Sequence, residues 1–272
     1  MKKKPIKKKR TQRKAKSRTK KPAQPNQQAW YGRLVILCVV LIMLGGFGLW
    51  WKNQVLLKQV HVDGTLFSDP ESIHHLANLD SSMLFFDINL QAVSEQVSQN
   101  PWVESASVRR LPNAELAISV RERKPALLVL DPNGKPDRFI DSYGYQMPFI
   151  KEAIFDVPLL MGLNEEFHPT ELIQQPVVLS LLEDLHHITD DVDALISAFM
   201  IKPNGELFLE TNPIPGRGSI DVRLGHENFA PKLSKLHAFW HQTVLTKREH
   251  NIQAIDLRFD SQIVTQEVRL SQ

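Results

Sequence analysis

The sequence predicts an α+β protein that is carried by one N-terminal transmembrane helix. A charge-free apolar run covers residues 34–51. After it, apolar residues recur first at helical and then at alternating spacing, in the order strand, helix, helix, strand, strand. From about residue 126, short alternating runs are separated by turn signals. We therefore expect a small β-α-α-β-β domain over 55–125 and a larger, mainly antiparallel β domain with two helices over 126–272.

The N-terminal segment is strongly basic. The first 33 residues contain 14 Lys and Arg and no acid, whereas residues 34–272 carry 19 basic and 30 acidic side chains. Residues 1–29 show no apolar period, which predicts a disordered tail. Nucleic-acid binding is one interpretation of such a tail, and attraction to anionic lipid is the other. The neighbouring apolar run favours lipid, so we expect no nucleic-acid partner.

The apolar run predicts a membrane span over residues 30–52. Its length fits a hydrocarbon core of about 30 Å. A cleaved signal peptide is the alternative, but its apolar region is usually about 7–15 residues and precedes small residues. Here the run ends in Trp50 and Trp51, which are typical of an interfacial anchor. The positive charges before the run predict a single-pass protein with a cytoplasmic N-terminus and its folded domains on the other side of the membrane.

The small domain begins with a strand that ends at Asp63 and Gly64. Ser68 or Asp69 is a suitable N-cap for the first helix, because Pro70 fits its first position. The second helix is expected over about 89–99, before Asn100-Pro101.

An antiparallel hairpin follows, with its turn at Pro112-Asn113. Alternation places Trp102 on one face together with Ala106 and Val108. On the second strand, three apolar residues face inward: Leu116, Ile118 and Val120. Three polar residues of the same strand face away and are a candidate recruitment surface: Glu115, Ser119 and Arg121.

The larger domain contains strands on both sides of a "KPNG" turn and helices over about 176–188 and 228–244. The apolar stripe of the second helix is predicted to face the core: Phe229, Leu233, Leu236, Trp240 and Val244. Ile255, Leu257 and Phe259 alternate as a strand, and a last strand is expected within 263–270.

Few residues suggest chemistry. The only cysteine, Cys38, lies in the apolar run, and phosphate-binding and hydrolase motifs are missing from the sequence. His237 and His241 could meet on one helix as part of a metal site, but two ligands are weak evidence for one. Asp190, Asp191 and Asp193 lack the spacing of a calcium loop. We therefore expect no enzyme and no cofactor; an anchored hydrolase using the two histidines is the competing hypothesis.

Several segments resemble one protein family. The segment "NPWVESASVRRLPNAELAISVRERKPALLV" resembles the last hairpin of a POTRA domain. Behind it, "FIDSYGYQMP", "VPLLMG", "RLGHENFAPKLSKL" and "IQAIDLRFDSQIV" resemble, in order, segments of the FtsQ/DivIB family. POTRA domains also occur in outer-membrane assembly proteins, but the combination with one N-terminal anchor resembles this cell division family.

The resemblance implies a non-catalytic divisome scaffold at the division septum that links early to late division proteins. With the charge pattern, it implies a single-pass type II protein of the bacterial inner membrane with periplasmic domains. It implies binding to the single-pass proteins FtsB and FtsL, with FtsB adding a strand to the C-terminal sheet edge. It also implies that the POTRA domain contributes to septal recruitment. The partner-binding residues carried over are Arg258, Phe259, Ser261, Gln262 and Val264.

Two alternatives remain open from the sequence. Phe259 is either an exposed binding residue or, by its alternation with Leu257, an inward core residue. Gln262 departs from the small glycine that the family often has there, so the bend into the last strand is not set by the resemblance. For the whole chain, the other functional class is a POTRA-bearing transport or chaperone component of the cell envelope.

Overall fold

The computed structural model describes residues 27–246 and 251–268. It begins with one long helix, α1 (Gln27–Lys52). Within α1, Trp30–Lys52 has 23 residues and is apolar enough to cross a membrane. Its apolar side chains are exposed, as expected of a helix that is surrounded by lipid. Within the described residues, one helix is therefore consistent with a single-pass membrane protein.

A three-stranded sheet covered by two helices follows. Its elements, in chain order, are β1 (Gln59–Asp63), α2 (Pro70–Ala77), α3 (Leu90–Val97), β2 (Val103–Leu111) and β3 (Glu115–Glu122). The spatial order is β1-β3-β2, with β1 parallel and β2 antiparallel to β3. The predicted β-α-α-β-β order is confirmed.

Local signals explain where these elements begin and turn. Asp69, rather than Ser68, is the N-cap of α2, because its carboxylate accepts the N–H groups of Glu71 and Ser72 at 3.3 and 3.2 Å. The hairpin turns through a short 3₁₀ segment, Pro112–Ala114. The inward faces of the helices and strands meet in a core that includes Ile73, Val97, Val103 and Ile118.

The larger domain is one nine-stranded sheet. Its strands are β4 (Pro125–Leu130), β5 (Pro136–Asp141), β6 (Gln146–Pro148), β7 (Leu159–Met161), β8 (Ile196–Ile201), β9 (Leu207–Thr211), β10 (Asp221–Gly225), β11 (Asn251–Asp256) and β12 (Val264–Val268). The spatial order is β12-β11-β10-β9-β8-β7-β4-β5-β6. Five of these eight pairings are antiparallel. The predicted mainly antiparallel sheet, and with it the α+β class, is confirmed.

Helices cover one face of this sheet. They are α4 (Pro176–Leu185), the single turn α5 (Asp190–Asp193) and α6 (Phe229–Phe239), which continues as a π-turn, Trp240–Val244. The predicted stripe of five apolar residues on α6 and its π-turn is buried in the core. The predicted helix over 228–244 is thus an α-helix whose last turn is widened.

The alternation predicted that Trp102 shares a face with Ala106 and Val108, and this prediction is wrong. Its side chain is 3% exposed and lies among Phe67, Phe139 and Phe155, with ring centroids 5.5 to 6.0 Å away. A β-bulge between Val103 and Ser105 shifts the alternation by one residue, so Val103, and not Trp102, shares the face of Ala106 and Val108. This aromatic cluster joins the small domain to the larger one.

Candidate partner-binding site at the C-terminal sheet edge

β12 is the last strand at one side of the nine-stranded sheet. It pairs antiparallel with β11, from Asp256 opposite Val264 to Asn251 opposite Val268. None of the described strands pairs with its other side. A free edge of this kind presents backbone N–H and C=O groups that another strand can satisfy. Val264, at the start of β12, is 45% exposed.

The residues between the two strands form a loop, which changes the interpretation of Phe259. The sequence predicted one alternating strand through Ile255, Leu257 and Phe259, but β11 ends at Asp256, before Phe259. The Leu257 N–H still donates to the Arg223 carbonyl at 2.9 Å, which extends the pairing with β10 by one residue. The Leu257 side chain is buried. Phe259 is 44% exposed, so the alternative that it is an inward core residue is wrong.

Arg258 is held by two carboxylates. Its guanidinium donates to both Asp256 carboxylate oxygens, with the shortest contact at 2.7 Å, and to Glu206 Oε1 at 3.3 Å. Glu206 also accepts from the Arg223 guanidinium at 2.7 Å. The guanidinium carbon of Arg258 lies 5.7 Å from the centre of the Phe259 ring. These bonds fix the start of the loop to the end of β11 and to Glu206.

These hydrogen bonds shift the acidity of the groups. The bond from Arg223 lowers the pKa of Glu206 below its usual 4.5, and the bond from Arg258 lowers the pKa of Asp256 below 3.8. In return, Asp256 raises the pKa of Arg258. Each of these three shifts favours the charged form of its group, so they stabilise Glu206, Asp256 and Arg258 as ions.

Lys235 on α6 fixes the tip of the loop. Its ammonium group donates to the carbonyl oxygens of Phe259 at 3.0 Å and Asp260 at 2.8 Å. Ser261 and Gln262 follow as exposed residues, and Ile263 turns back against the core. The five residues that the sequence suggested for partner binding thus lie together on one loop and the first residue of the edge strand.

An open groove of about 340 Å³ lies on the sheet face opposite the helices, beside this edge. It is lined by Phe208, Asp221, Arg223, Ala254, Ile255, Asp256, Val264, Thr265 and Gln266.

Three residues that hold the candidate site were not predicted from the sequence: Glu206, Arg223 and Lys235. The alternation of β10 could have indicated Arg223, which faces away from buried Val222 and Leu224. Nothing in the sequence places Glu206 or Lys235 beside a loop more than twenty residues further along the chain.

The second candidate surface lies on the small domain. Glu115, Ser119 and Arg121 are on the central strand β3, on the side away from α2 and α3, as the alternation predicted. Glu115 Oε2 lies 3.1 Å from His61 Nε2, and the Arg121 guanidinium donates to Glu104 at 2.9 Å. The Arg121 side chain is 70% exposed, so it is the most accessible of the three.

Two histidines, His237 and His241, were the candidates for a metal site. The rings of His237 and His241 are 4.6 Å apart, so the predicted proximity is confirmed. In the described ranges, however, no three His, Cys, Asp or Glu side chains are grouped so that they could hold a metal ion.

Comparisons with known proteins agree along the chain. Residues 55–123 match the POTRA domain of FtsQ type, and residues 124–266 match the family described as FtsQ/DivIB, C-terminal related. The cell division protein FtsQ of Rhodothermus marinus is 39% identical over 235 residues, which cover 86% of each chain. That of Salinibacter ruber is 31% identical over 249 residues, 88% of this chain and 96% of its own.

Among solved structures, the major extracytoplasmic domain of DivIB from Geobacillus stearothermophilus covers 47% of this chain and 99% of its own, at 18% identity and a TM-score of 0.31. The two domain matches and the two relatives confirm the resemblance found in the sequence. The chain therefore belongs to the FtsQ/DivIB family of bacterial cell division proteins.

Proposed function

We propose that the chain is a divisome scaffold that binds FtsB- and FtsL-like proteins and links early to late division proteins at the septum. FtsB binds by adding a strand to the outer side of β12. The observation that carries this proposal is the position of β12 at the end of the sheet, with no described strand on its outer side. Main-chain hydrogen bonds to an added strand supply affinity, and neighbouring side chains supply specificity.

The loop before β12 provides the anchor for that strand. Phe259 and Val264 are large, exposed apolar residues on either side of polar Ser261 and Gln262. Aromatic residues beside arginine are enriched among the few residues that dominate binding energy. Because Lys235 and the Arg258 network already fix the loop, little conformational entropy is lost when a partner binds.

The groove beside the edge accommodates side chains of the added strand. Successive residues of a strand point to opposite sheet faces, so every second partner residue would lie over the groove floor. That floor carries Asp221, Arg223 and Asp256, together with Phe208. We expect the partner residues there to be polar or charged, with an apolar residue near Phe208.

The membrane helix sets the place where binding occurs. We propose that residues 1–29 are a cytoplasmic basic tail near anionic lipid, that 30–52 cross the inner membrane, and that 55–125 and 126–272 are the two periplasmic domains. The positive charges before α1 support this orientation. It puts β12 in the same compartment as the periplasmic parts of single-pass partners such as FtsB and FtsL.

The outer face of β3 provides a second contact. We propose that Glu115, Ser119 and Arg121 take part in septal recruitment by other divisome proteins. Arg121 is the accessible charge on this face, while Glu115 is already beside His61. The match of residues 55–123 to the FtsQ-type POTRA domain favours division over a role in protein transport. Both surfaces act by binding alone, without a catalytic step or a cofactor.

The partner-binding proposal is tested by replacing the exposed anchor. Phe259→Glu or Ser261→Arg in the full chain should abolish co-purification of the FtsB-like protein of the same organism. A residue that dominates an interface contributes about 2 kcal/mol or more, so affinity should fall by about 30-fold or more.

Ile154→Glu is the matched control for Phe259→Glu. It introduces the same charge at an apolar position that is 94% exposed and belongs to neither surface, so binding should be retained. Circular dichroism should show unchanged folding for all three variants. Undiminished binding by both edge variants would reject this surface.

A further inference from the structure

Three large apolar side chains are exposed together at the start of the small domain. Leu56 is 48%, Met83 37% and Phe86 42% exposed, and we call these residues the Phe86 patch. The two segments that carry them are neighbours, because they pair through their backbones with Leu56 opposite Leu84. The Leu57 N–H donates to the Met83 carbonyl at 3.0 Å, and the Phe85 N–H donates to the Val55 carbonyl at 2.9 Å.

The exposure of the patch is set by its buried neighbours. Leu57 and Phe85 are each 4% exposed and pack with Ala114 and Leu116 in one core cluster. Since adjacent residues in extended pairing point to opposite sides, burying Leu57 turns Leu56 outward. The ring of Phe86 meets that of buried Phe85 edge-on, with centroids 5.1 Å apart.

Arg110 holds the loop that carries Phe86. Its guanidinium donates to the carbonyl oxygens of Phe85 at 3.4 Å, Phe86 at 3.2 Å and Ile88 at 2.8 Å. Three bonds from one side chain keep the loop from folding its apolar residues inward. The Phe86 patch is therefore a maintained surface feature.

The chain itself restricts how far the patch can be from the membrane. α1 ends at Lys52, and the pairing with the loop begins at Val55. Three residues span at most about 11 Å when fully extended. Trp50 and Trp51 are typical of the membrane interface, and the head-group layer is roughly 5–8 Å deep on each side. The residues that pair with Val55 are therefore tethered a short distance along the chain from the end of the span.

We propose that the Phe86 patch inserts into the boundary between head groups and acyl chains of the leaflet from which the domain emerges. The proposal rests on the membrane span and topology given under the proposed function. Apolar contact is the main interaction, because the loop carries the acidic residues Asp80 and Asp87 as well as the nearby basic residue Lys58. Lipid contact should therefore persist at high salt, since charge attraction would be screened there.

The test uses the full chain in lipid nanodiscs with one fluorescent label at a time. Cys38→Ala removes the native thiol, and Met83→Cys, Phe86→Cys or Ile154→Cys supplies the labelling site. Lipids that carry a nitroxide near the head group should reduce the fluorescence at positions 83 and 86 and leave that at position 154 unchanged. A second variant, Leu56→Ser combined with Phe86→Ser, should restore the fluorescence of the label at position 83.

A label on native Cys38 distinguishes this inference from its premise. Quenching of that label by nitroxides deep in the acyl chains, without quenching at 83 and 86, would overturn the lipid contact and leave the span intact. An unquenched Cys38 label would overturn both. Protection of positions 83 and 86 only after FtsB- and FtsL-like proteins are added would assign the patch to a protein and reject lipid.

Discussion

Glu206 is the buried carboxylate on which the loop after β11 depends. Glu206 is 6% exposed, and its carboxylate accepts hydrogen bonds from both Arg223 and Arg258. Removing one member of a buried charged group costs more than the group contributes in total, because the remaining charges lose their partner. Arg258 also has its bonds to Asp256, so Arg223 is the guanidinium group that depends more strongly on Glu206.

We predict that Glu206→Gln lowers the stability of the larger domain at neutral pH. The folded-state pKa of Glu206 is below 4.5, so its contribution is present above pH 4.5 and is lost as the pH falls through the folded pKa. The variant should lose less stability than the wild type in that acidic range. Urea denaturation at pH 7 and at several acidic pH values measures both effects; parallel curves would contradict the prediction.

At the scale of elements, two glycines allow strands to end against a neighbouring backbone. Gly64 follows β1 with φ +89°, and an added Cβ would lie 2.1 Å from the Val120 carbonyl oxygen. Gly162 follows β7 with φ +79°, and its Cβ would lie 2.2 Å from the Ile201 carbonyl oxygen. Each glycine therefore permits a parallel strand to end close to its partner.

Gly64→Ala should destabilise the protein by more than about 3 kcal/mol, because the backbone of β3 would have to move. Gly134→Ala is the matched control, since Gly134 has φ +78° and nothing within 4 Å of an added Cβ. It should lose only about 1–2 kcal/mol, the cost of a left-handed alanine. Thermal unfolding of the two variants measures the difference, and equal losses would show that the close approach is unimportant.

Elements with local signals were predictable from the sequence. The N-cap Asp69 and the proline at the first position of α2 define its start, and the "KPNG" turn joins β8 to β9. The alternation in β3 correctly separated buried Ile118 from outward Arg121. In each case the pattern spans a few neighbouring residues, so tertiary contacts had little to change.

Long-range features were not predictable in the same way. The pairing of β1 with β3 joins residues more than fifty positions apart. The sequence placed Phe259 in the alternation of Ile255 and Leu257. The side chain of Asp256 ends the strand, because it accepts the backbone N–H of Arg258 at 3.0 Å. The groups that hold the candidate site, Glu206 and Lys235, come from the connection before β9 and from α6.

At the scale of the whole molecule, Trp102 connects the two domains. Its ring belongs to the small domain by position but packs against Phe139 and Phe155 of the larger one. Arg123, in the short connection after β3, adds a bond to Asp141 at 2.8 Å. The two domains thus share a buried contact where the chain passes between them.

Trp102→Ala should cost about 3–5 kcal/mol and uncouple the domains, because it removes the centre of the aromatic cluster. Calorimetry of the full chain in detergent should then show two unfolding transitions in place of one. Trp102→Phe retains a ring at this position and should keep a single transition. A single, unshifted transition in the alanine variant would show that the junction does not couple the domains.

The sheet order also has a consequence for synthesis. In the proposed topology, the strands cross the membrane in sequence order, and domains fold as they emerge. β12 emerges after β1 to β11, and it can pair only when β11 is in place. A nascent or prematurely terminated chain would therefore lack the proposed docking edge, so the proposed partner could bind there only once β12, Val264–Val268, has crossed the membrane.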